Sequence, residues 1–176
     1  MRPLVAAVGL AILFLASVDA KGTTIRIAIK DIDSGTVSEI RNSSVLDQFH
    51  VWAGRGTYSG APDSAKTEGT QGFIIDWMAG VVEQRPDGLR RYEVRFYVAP
   101  RRQGAVTALD ASLEELAYVV LYENDPSTGQ GYVYLPGKTD EHFALNLRSI
   151  YRRLEGQWLR ASSAWQEAFM HATAAR

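Results

Sequence analysis

The chain of 176 residues contains no cysteine. This absence excludes disulfide bonds, thiol nucleophiles, cysteine-ligated zinc sites and haem attachment through a cysteine motif. An excess of charge is also lacking, because 19 Lys and Arg side chains nearly balance 20 Asp and Glu. Binding to a nucleic-acid backbone relies on an electropositive face, so we expect no nucleic-acid partner.

Motifs of reactive chemistry are scarce as well. The three histidines are His50, His142 and His171, so a three-histidine zinc site would need all of them. Asp140 and Glu141 precede His142 directly, but neighbouring side chains on a strand alternate and would not converge on one ion. No Gly-x-Ser-x-Gly elbow or complete phosphate-binding loop is present. The sequence therefore predicts no metal and no cofactor, and it identifies no catalytic residue.

The N-terminus has the pattern of an export signal. A basic start precedes an apolar run from Leu4 to Ala16, and the small residue Ala20 precedes a possible cleavage site. The apolar run is shorter than the roughly 20 residues that span a bilayer. We therefore expect residues 1–20 to be a signal peptide. Its removal would leave residues 21–176 as one periplasmic or extracellular domain with no stable membrane insertion.

Hydrophobic periodicity predicts mainly β-structure. Apolar and polar residues alternate over Thr24–Lys30 and Tyr92–Val98, as expected of half-buried strands. Ala117–Tyr122 is apolar at every position, which predicts a central strand covered on both faces. Tyr132–Leu135 follows as a hairpin partner, and the spacing by two of apolar residues over 143–147 predicts a further strand.

Two helices and one long loop complete the predicted organisation. We expect a short helix near 44–50 and a C-terminal helix near 163–173, with Trp165 and Phe169 on its apolar face. Residues 53–71 are rich in Gly and Ser and have no periodicity, which predicts a loop. Phe73–Trp77 is predicted as a strand. The fold class is therefore α+β, mainly an antiparallel β-sheet or sandwich of about six to seven strands.

Four strings of the sequence carry a resemblance: Gly72–Trp77, Arg91–Val98, Tyr118–Val120 and Gly131–Gly137. They resemble uncharacterised bacterial exported proteins, and the similarity extends from about Ser44 to Trp165. The resemblance implies a bacterial, exported protein. It brings no activity, cofactor or site residue with it.

Five side chains form a candidate binding surface: Tyr58, Arg95, Tyr97, Tyr132 and Tyr134. Aromatic side chains on an exposed face can stack on sugars or anchor a protein partner. Packing in the core or across strands is the other common use of such residues. Arg95 also belongs to a group of arginines at the ends and outer face of its strand, which predicts a cationic patch.

These observations favour a non-catalytic binding or accessory protein of the bacterial cell envelope, with an envelope protein or polysaccharide as its partner. Two alternatives stay open. The protein could be a small hydrolase in which Asp76 converges with Glu83 or Asp125 in the fold. It could also be a structural protein that self-associates through the hairpin from Tyr118 to Leu135. The sequence does not determine the oligomeric state.

Overall fold

The computed structural model describes residues 22–55, 73–99 and 114–174. Within them, the elements in chain order are β1 (Thr23–Asp31), β2 (Val37–Ile40), α1 (Ser43–Leu46), β3 (Arg90–Ala99), β4 (Glu115–Asn124), β5 (Gly131–Tyr134), α2 (Phe143–Ser149), β6 (Trp158–Arg160) and α3 (Ser163–Ala174). The strands form one antiparallel sheet in the order β2-β1-β3-β4-β5-β6. The α+β class is confirmed, in its single-sheet form. The predicted signal peptide lies outside the described residues, as does the predicted loop beyond Arg55.

The inner face of the sheet carries the hydrophobic core. Alternation along β3 places Val94 and Phe96 fully inside. Helix α3 packs on this face and buries Trp165 and Phe169. The ring of Phe169 meets Tyr92 edge-on, with centroids 4.8 Å apart. Burial of each large apolar side chain stabilises the fold by about 1.5–3 kcal/mol, so this face accounts for much of the driving force for folding.

Both predicted helices are present, with bounds set by their caps. Helix α1 begins after Asn42, whose side chain accepts the N–H of Ser44 at 2.9 Å. It ends at Leu46, earlier than expected. Helix α3 is preceded by Ser162, whose hydroxyl accepts the N–H of Trp165 at 3.2 Å. Side-chain oxygens thus satisfy N–H groups that the first turn of a helix leaves free.

Residues 143–149 form helix α2, so the strand predicted over 143–147 is wrong. Strand β5 pairs only with the second half of β4, from Leu121 onward. The side-chain amide of Asn146 accepts the N–H of Val119 at 2.8 Å and donates to its carbonyl at 2.7 Å. Ser149 donates to the carbonyl of Ala117 at 2.6 Å. The helix therefore supplies the hydrogen bonds of a missing strand, and this tertiary requirement outweighs the local alternation.

The predicted strand at Phe73–Trp77 is also wrong, because only one residue of it pairs with the sheet. Ile75 forms an isolated bridge with Ala161. Val81 forms a second bridge with Leu159 of β6. Strand β6 has only three residues and was not predicted. The two bridges cover the outer edge of β6, which would otherwise expose unpaired backbone groups.

A buried arginine joins the irregular segments beside the core. The Arg152 side chain is 0% exposed, and its guanidinium donates to the carbonyls of Val51, Ala53 and Arg55 at 2.5–3.0 Å. Its planar group lies 4.1 Å from the ring centroid of Phe73. Among the described residues, no carboxylate forms an ion pair with it. Burial lowers the pKa of Arg152, so three carbonyl dipoles and an aromatic face must stabilise its charge.

We expect Arg152→Met to lower the free energy of unfolding by more than about 3 kcal/mol, because three carbonyls beside the core, that of buried Val51 among them, would lose their donors. The matched control is Arg41→Met. Arg41 is exposed and forms ion pairs with Glu39 and Glu114, which are worth about 0–1 kcal/mol at a surface. Urea denaturation measures both variants. Equal losses would show that the buried guanidinium has no special part in stability.

Replacement of Asn146 tests the role of α2 at the edge of β4. Asn146→Ala leaves the N–H and the carbonyl of Val119 without partners, so we expect a loss of about 1–3 kcal/mol. Leu147→Ala changes the neighbouring helical position, where the side chain is exposed, and should cost less than about 0.5 kcal/mol. The comparison uses urea midpoints, and a similar cost for both variants would contradict this role.

Candidate functional site on the outer face of the sheet

The outer face of the sheet carries a row of cross-strand neighbours. Glu93 of β3 pairs with Leu121 of β4. Leu121 pairs with Tyr134 of β5, and Tyr134 pairs with Trp158 of β6. Directly paired residues project to the same side of a sheet, so these four side chains, termed the outer row, lie next to one another. A carboxylate, an aliphatic group and two aromatic rings therefore line up across four strands.

Glu93 forms a partly buried pair with His142, the residue before α2. The Nε2 atom of His142 lies 3.2 Å from Glu93 Oε2, and Arg95 Nε donates to Glu93 Oε1 at 2.5 Å. The side chains of Glu93 and His142 are 17% and 19% exposed. Burial alone would raise the pKa of Glu93, but the hydrogen bonds from Arg95 and His142 outweigh it and lower the pKa. The carboxylate is therefore ionised at neutral pH and holds the imidazole in place.

A cavity of about 360 Å³, termed the acidic cavity, opens beside this pair. Three carboxylates and one imidazole line it, from Glu93, Asp140, Glu141 and His142. The ring of Tyr134 forms part of its wall, and the Tyr134 hydroxyl donates to Asp140 Oδ2 at 2.9 Å. Burial and the neighbouring Asp140 raise the pKa of Tyr134, so the hydroxyl stays protonated. The cavity combines hydrogen-bond acceptors with an aromatic surface.

Trp158, the cross-strand neighbour of Tyr134, lines a second cavity. Its ring lies between Tyr134, with centroids 5.1 Å apart and planes inclined by 36°, and the guanidinium of Arg85 at 3.6 Å. Arg85 is ion-paired with Glu123. A cavity of about 370 Å³, termed the arginine cavity, is lined by Trp158, Arg85, Arg91 and Glu123, among others. The tilted rings of Tyr134 and Trp158 thus each line one of two polar cavities, and the Arg85 guanidinium packs on Trp158.

The two cavities are neighbours on one face. Leu121 lines the acidic cavity and Glu123 lines the arginine cavity. These residues lie two positions apart on β4, which corresponds to roughly 7 Å along a strand. The two cavities therefore lie beside each other along β4.

The predicted surface residues are only partly brought together. Tyr134 lines the acidic cavity, and Arg95 donates a hydrogen bond to Glu93, which also lines it. Tyr132 is 7% exposed and offers little surface. Tyr97 lies near another end of the face, where the guanidinium of Arg26 covers its ring at 3.5 Å. Tyr58 lies outside the described residues.

Two of the three arginines of β3 are ion-paired and so do not contribute free charge to a cationic patch. Arg91 pairs with Asp33 at 2.9 Å, and Arg95 pairs with Glu93. Arg101 and Arg102 lie outside the described residues. Each described pair brings opposite charges together, so the positive potential of the outer face is largely neutralised at these positions.

The carboxylates proposed for a hydrolase hold local turns or lie apart. Asp76 accepts the N–H of Met78 at 3.0 Å. Asp125 accepts hydrogen bonds from Ser127 and Thr128, which lower its pKa to about 2. Glu83 lines the arginine cavity. Asp76 and Asp125 thus stabilise the turns in which they lie. The groups that share a cavity are different ones, around Glu93 and His142.

Sequence reasoning missed two residues of this site, Glu93 and Trp158. It considered His142 beside Asp140 and Glu141 but set the three aside because side chains alternate on a strand; residues 140–142 form turns instead, and all three line the acidic cavity. The alternation of β3 contains a signal for Glu93, because its neighbours Tyr92 and Val94 are buried and it must face outward. No local pattern marks the pair, since Glu93 and His142 are 49 residues apart. Their proximity depends on how the chain returns from β5 to the outer face.

Comparison of the chain with protein-family models, with curated proteins and with solved structures finds no match. Within the described residues, no helix has the length and apolar character needed to cross a membrane. In the same ranges, no group of three or more His, Asp or Glu side chains is arranged to hold a metal ion.

The Glu93 pair predicts a defined pH dependence. The lowered pKa of Glu93 means that its contribution to stability is present above the ordinary carboxyl pKa of about 4.3 and is lost as the pH falls through the folded value. We therefore expect Glu93→Gln to be less stable than the wild type at about pH 7. The difference should shrink below about pH 4.

The control is Glu141→Gln, in the same cavity but with an exposed side chain. Its stability relative to the wild type should change little over the same pH range. Urea unfolding at several pH values measures both differences. If the difference in the free energy of unfolding between Glu93→Gln and the wild type stayed constant down to about pH 3, the ionised carboxylate would not be the stabilising form.

Proposed function

We propose that the protein is an exported binding module of the bacterial cell envelope, and that its outer face holds a polysaccharide. One observation carries the proposal. The adjacent rings of Tyr134 and Trp158, with centroids 5.1 Å apart, each line one of two neighbouring cavities that also carry charged side chains. Binding sites typically combine apolar or aromatic surface with a few placed polar groups, and this face has that composition.

The chemistry of the acidic cavity suits sugar rings. A sugar has apolar C–H faces that pack on aromatic rings, here that of Tyr134, and hydroxyl groups that donate hydrogen bonds. Ionised carboxylates only accept hydrogen bonds, so Asp140 and Glu141 complement such hydroxyl donors. The same carboxylates disfavour anionic ligands. We therefore propose a polysaccharide that is neutral or carries amino groups.

The arrangement of the cavities favours an extended chain over a single small molecule. Each cavity has about the volume that a small ligand needs, and they lie side by side along β4. A polymer gains contacts in both cavities while it remains one ligand. Linked contacts of this kind raise affinity without any single strong interaction.

A protein partner is supported less well. Within the described residues, the exposed large hydrophobic residues are divided among several elements, among them Val37 on β2, Leu147 on α2 and Met170 on α3. The centre of a protein interface is generally a contiguous, well-packed apolar region. Self-association through the β4–β5 hairpin is also weakly supported, because β4 and β5 are interior strands and Tyr118 and Tyr122 are fully buried.

Export to the envelope is supported by the sequence alone. The basic start, the apolar run and the small residue Ala20 form the pattern of a signal peptide. The resemblance to bacterial exported proteins points the same way. A polysaccharide ligand suits this location, because the envelope is where such polymers are abundant.

Co-sedimentation with insoluble polysaccharide tests the proposal. The purified protein is mixed with bacterial sacculi, chitin or cellulose, and the bound fraction is measured after centrifugation. We expect the wild type to bind at least one of them. Trp158→Ala should weaken the binding about tenfold, because one of the two adjacent rings is lost.

Tyr151→Ala is the matched control, since Tyr151 is 53% exposed and lines neither of the two cavities. It should bind like the wild type, and circular dichroism shows whether each variant remains folded. The proposal fails if the wild type sediments with none of the polymers. It fails equally if folded Trp158→Ala binds as well as Tyr151→Ala.

A further inference from the structure

The His142 imidazole has one nitrogen with no partner among the described residues. Nε2 faces the Glu93 carboxylate at 3.2 Å, whereas no hydrogen bond between residues that the structure describes involves Nδ1. An ionised carboxylate accepts only, so Nε2 carries the proton and donates it to Glu93. The lone pair of the neutral imidazole is therefore on Nδ1. His142 lines the acidic cavity.

Glu93 and Arg95 hold His142 in the way that neighbouring residues orient a catalytic base. Arg95 fixes one oxygen of Glu93 and His142 occupies the other, so the carboxylate has a defined orientation. A carboxylate that is held in this way orients the imidazole and stabilises the imidazolium that forms when it takes a proton. Glu93 and Arg95 are positioning residues in this arrangement, and His142 alone would touch the reacting atoms.

We propose that His142 is the general base for hydrolysis of a carboxylic ester in the acidic cavity. Nδ1 takes a proton from a water molecule while the water oxygen forms a bond to the carbonyl carbon of the ester. The tetrahedral intermediate then breaks its bond to the alcohol oxygen, and that oxygen takes the proton from Nδ1. The products are a carboxylic acid and an alcohol, and no oxidant or reductant is needed.

The charge of the cavity selects the ester. Asp140 and Glu141 add negative charge beside Glu93, so phosphate and sulfate esters would be repelled. A neutral carboxylic ester enters without this penalty. Its product acid ionises at neutral pH and is repelled, which favours release. An acyl group on a saccharide hydroxyl fits this description, and the assignment of the alcohol as a sugar rests on the proposed function.

Hydrolysis of 4-nitrophenyl acetate by the full chain measures the activity without any need for polymer binding. We expect His142→Ala to lower kcat/KM about 100-fold, within the usual contribution of a general base. The control is His171→Ala. His171 is 81% exposed and lies 3.9 Å from Glu167, so it provides an imidazole beside a glutamate outside the acidic cavity. Its replacement should leave the rate unchanged.

Glu93→Gln separates positioning from packing. It keeps the size of the side chain but loses the charge that holds the imidazole, so we expect a lower kcat, a nearly unchanged KM and a displaced pH profile. The proposal is overturned if His142→Ala retains the wild-type rate, or if His171→Ala loses as much activity. A pH profile of Glu93→Gln identical to that of the wild type would also overturn the positioning role.

The two proposals can fail separately. Hydrolysis that depends on His142, in a protein that sediments with no polysaccharide, would support the esterase and remove the sugar ligand. Polysaccharide binding that depends on Trp158, without hydrolysis that depends on His142, would overturn the esterase and keep the binding module.

Discussion

The packing beside the core depends on the buried guanidinium of Arg152. The segments that meet there have carbonyls with no strand or helix partners, and buried carbonyls need donors. A guanidinium offers five donors in a fixed plane, and its flat face packs on Phe73. The following residue, Arg153, has a φ of 63°, which costs about 1–2 kcal/mol in an L-residue. Hydrogen bonds from the N–H groups of Arg152 and Leu154 to the Glu155 carboxylate hold this turn.

The position of the site on the outer face follows from the packing of the core. Because side chains alternate along a strand, burial of Tyr92 and Val94 obliges Glu93 to face outward. A shift of one residue would move the whole apolar set of β3 to the wrong face, so the core fixes the register. The register that the core fixes therefore also places the Glu93 carboxylate opposite Leu121. The geometry of the site is therefore inherited from hydrophobic packing and needs little stabilisation of its own.

The sequence predicted the parts of the fold that depend on periodicity. Alternation of apolar and polar residues predicted β1 and β3, and a continuous apolar run predicted β4. A strand buried on one face has apolar residues at every second position, and a strand buried on both faces has them at every position. The errors arose where distant partners decide the structure. Asn146 makes residues 143–149 helical by serving the edge of β4, and Ile75 contacts β6 through a single bridge. The site was missed for the same reason, since Glu93 and His142 meet only in the folded chain.

The amide of Asn146 also has a consequence for behaviour away from the native state. It occupies the hydrogen-bonding groups of Val119, at the edge of Ala117–Tyr122, an uncharged segment of aliphatic and aromatic residues. Such segments nucleate intermolecular β-structure once an edge becomes free. Local opening of α2 is therefore the event that would expose the chain to aggregation. His142 directly precedes this helix, so a ligand held in the acidic cavity would slow that opening and prolong the lifetime of the protein in solution.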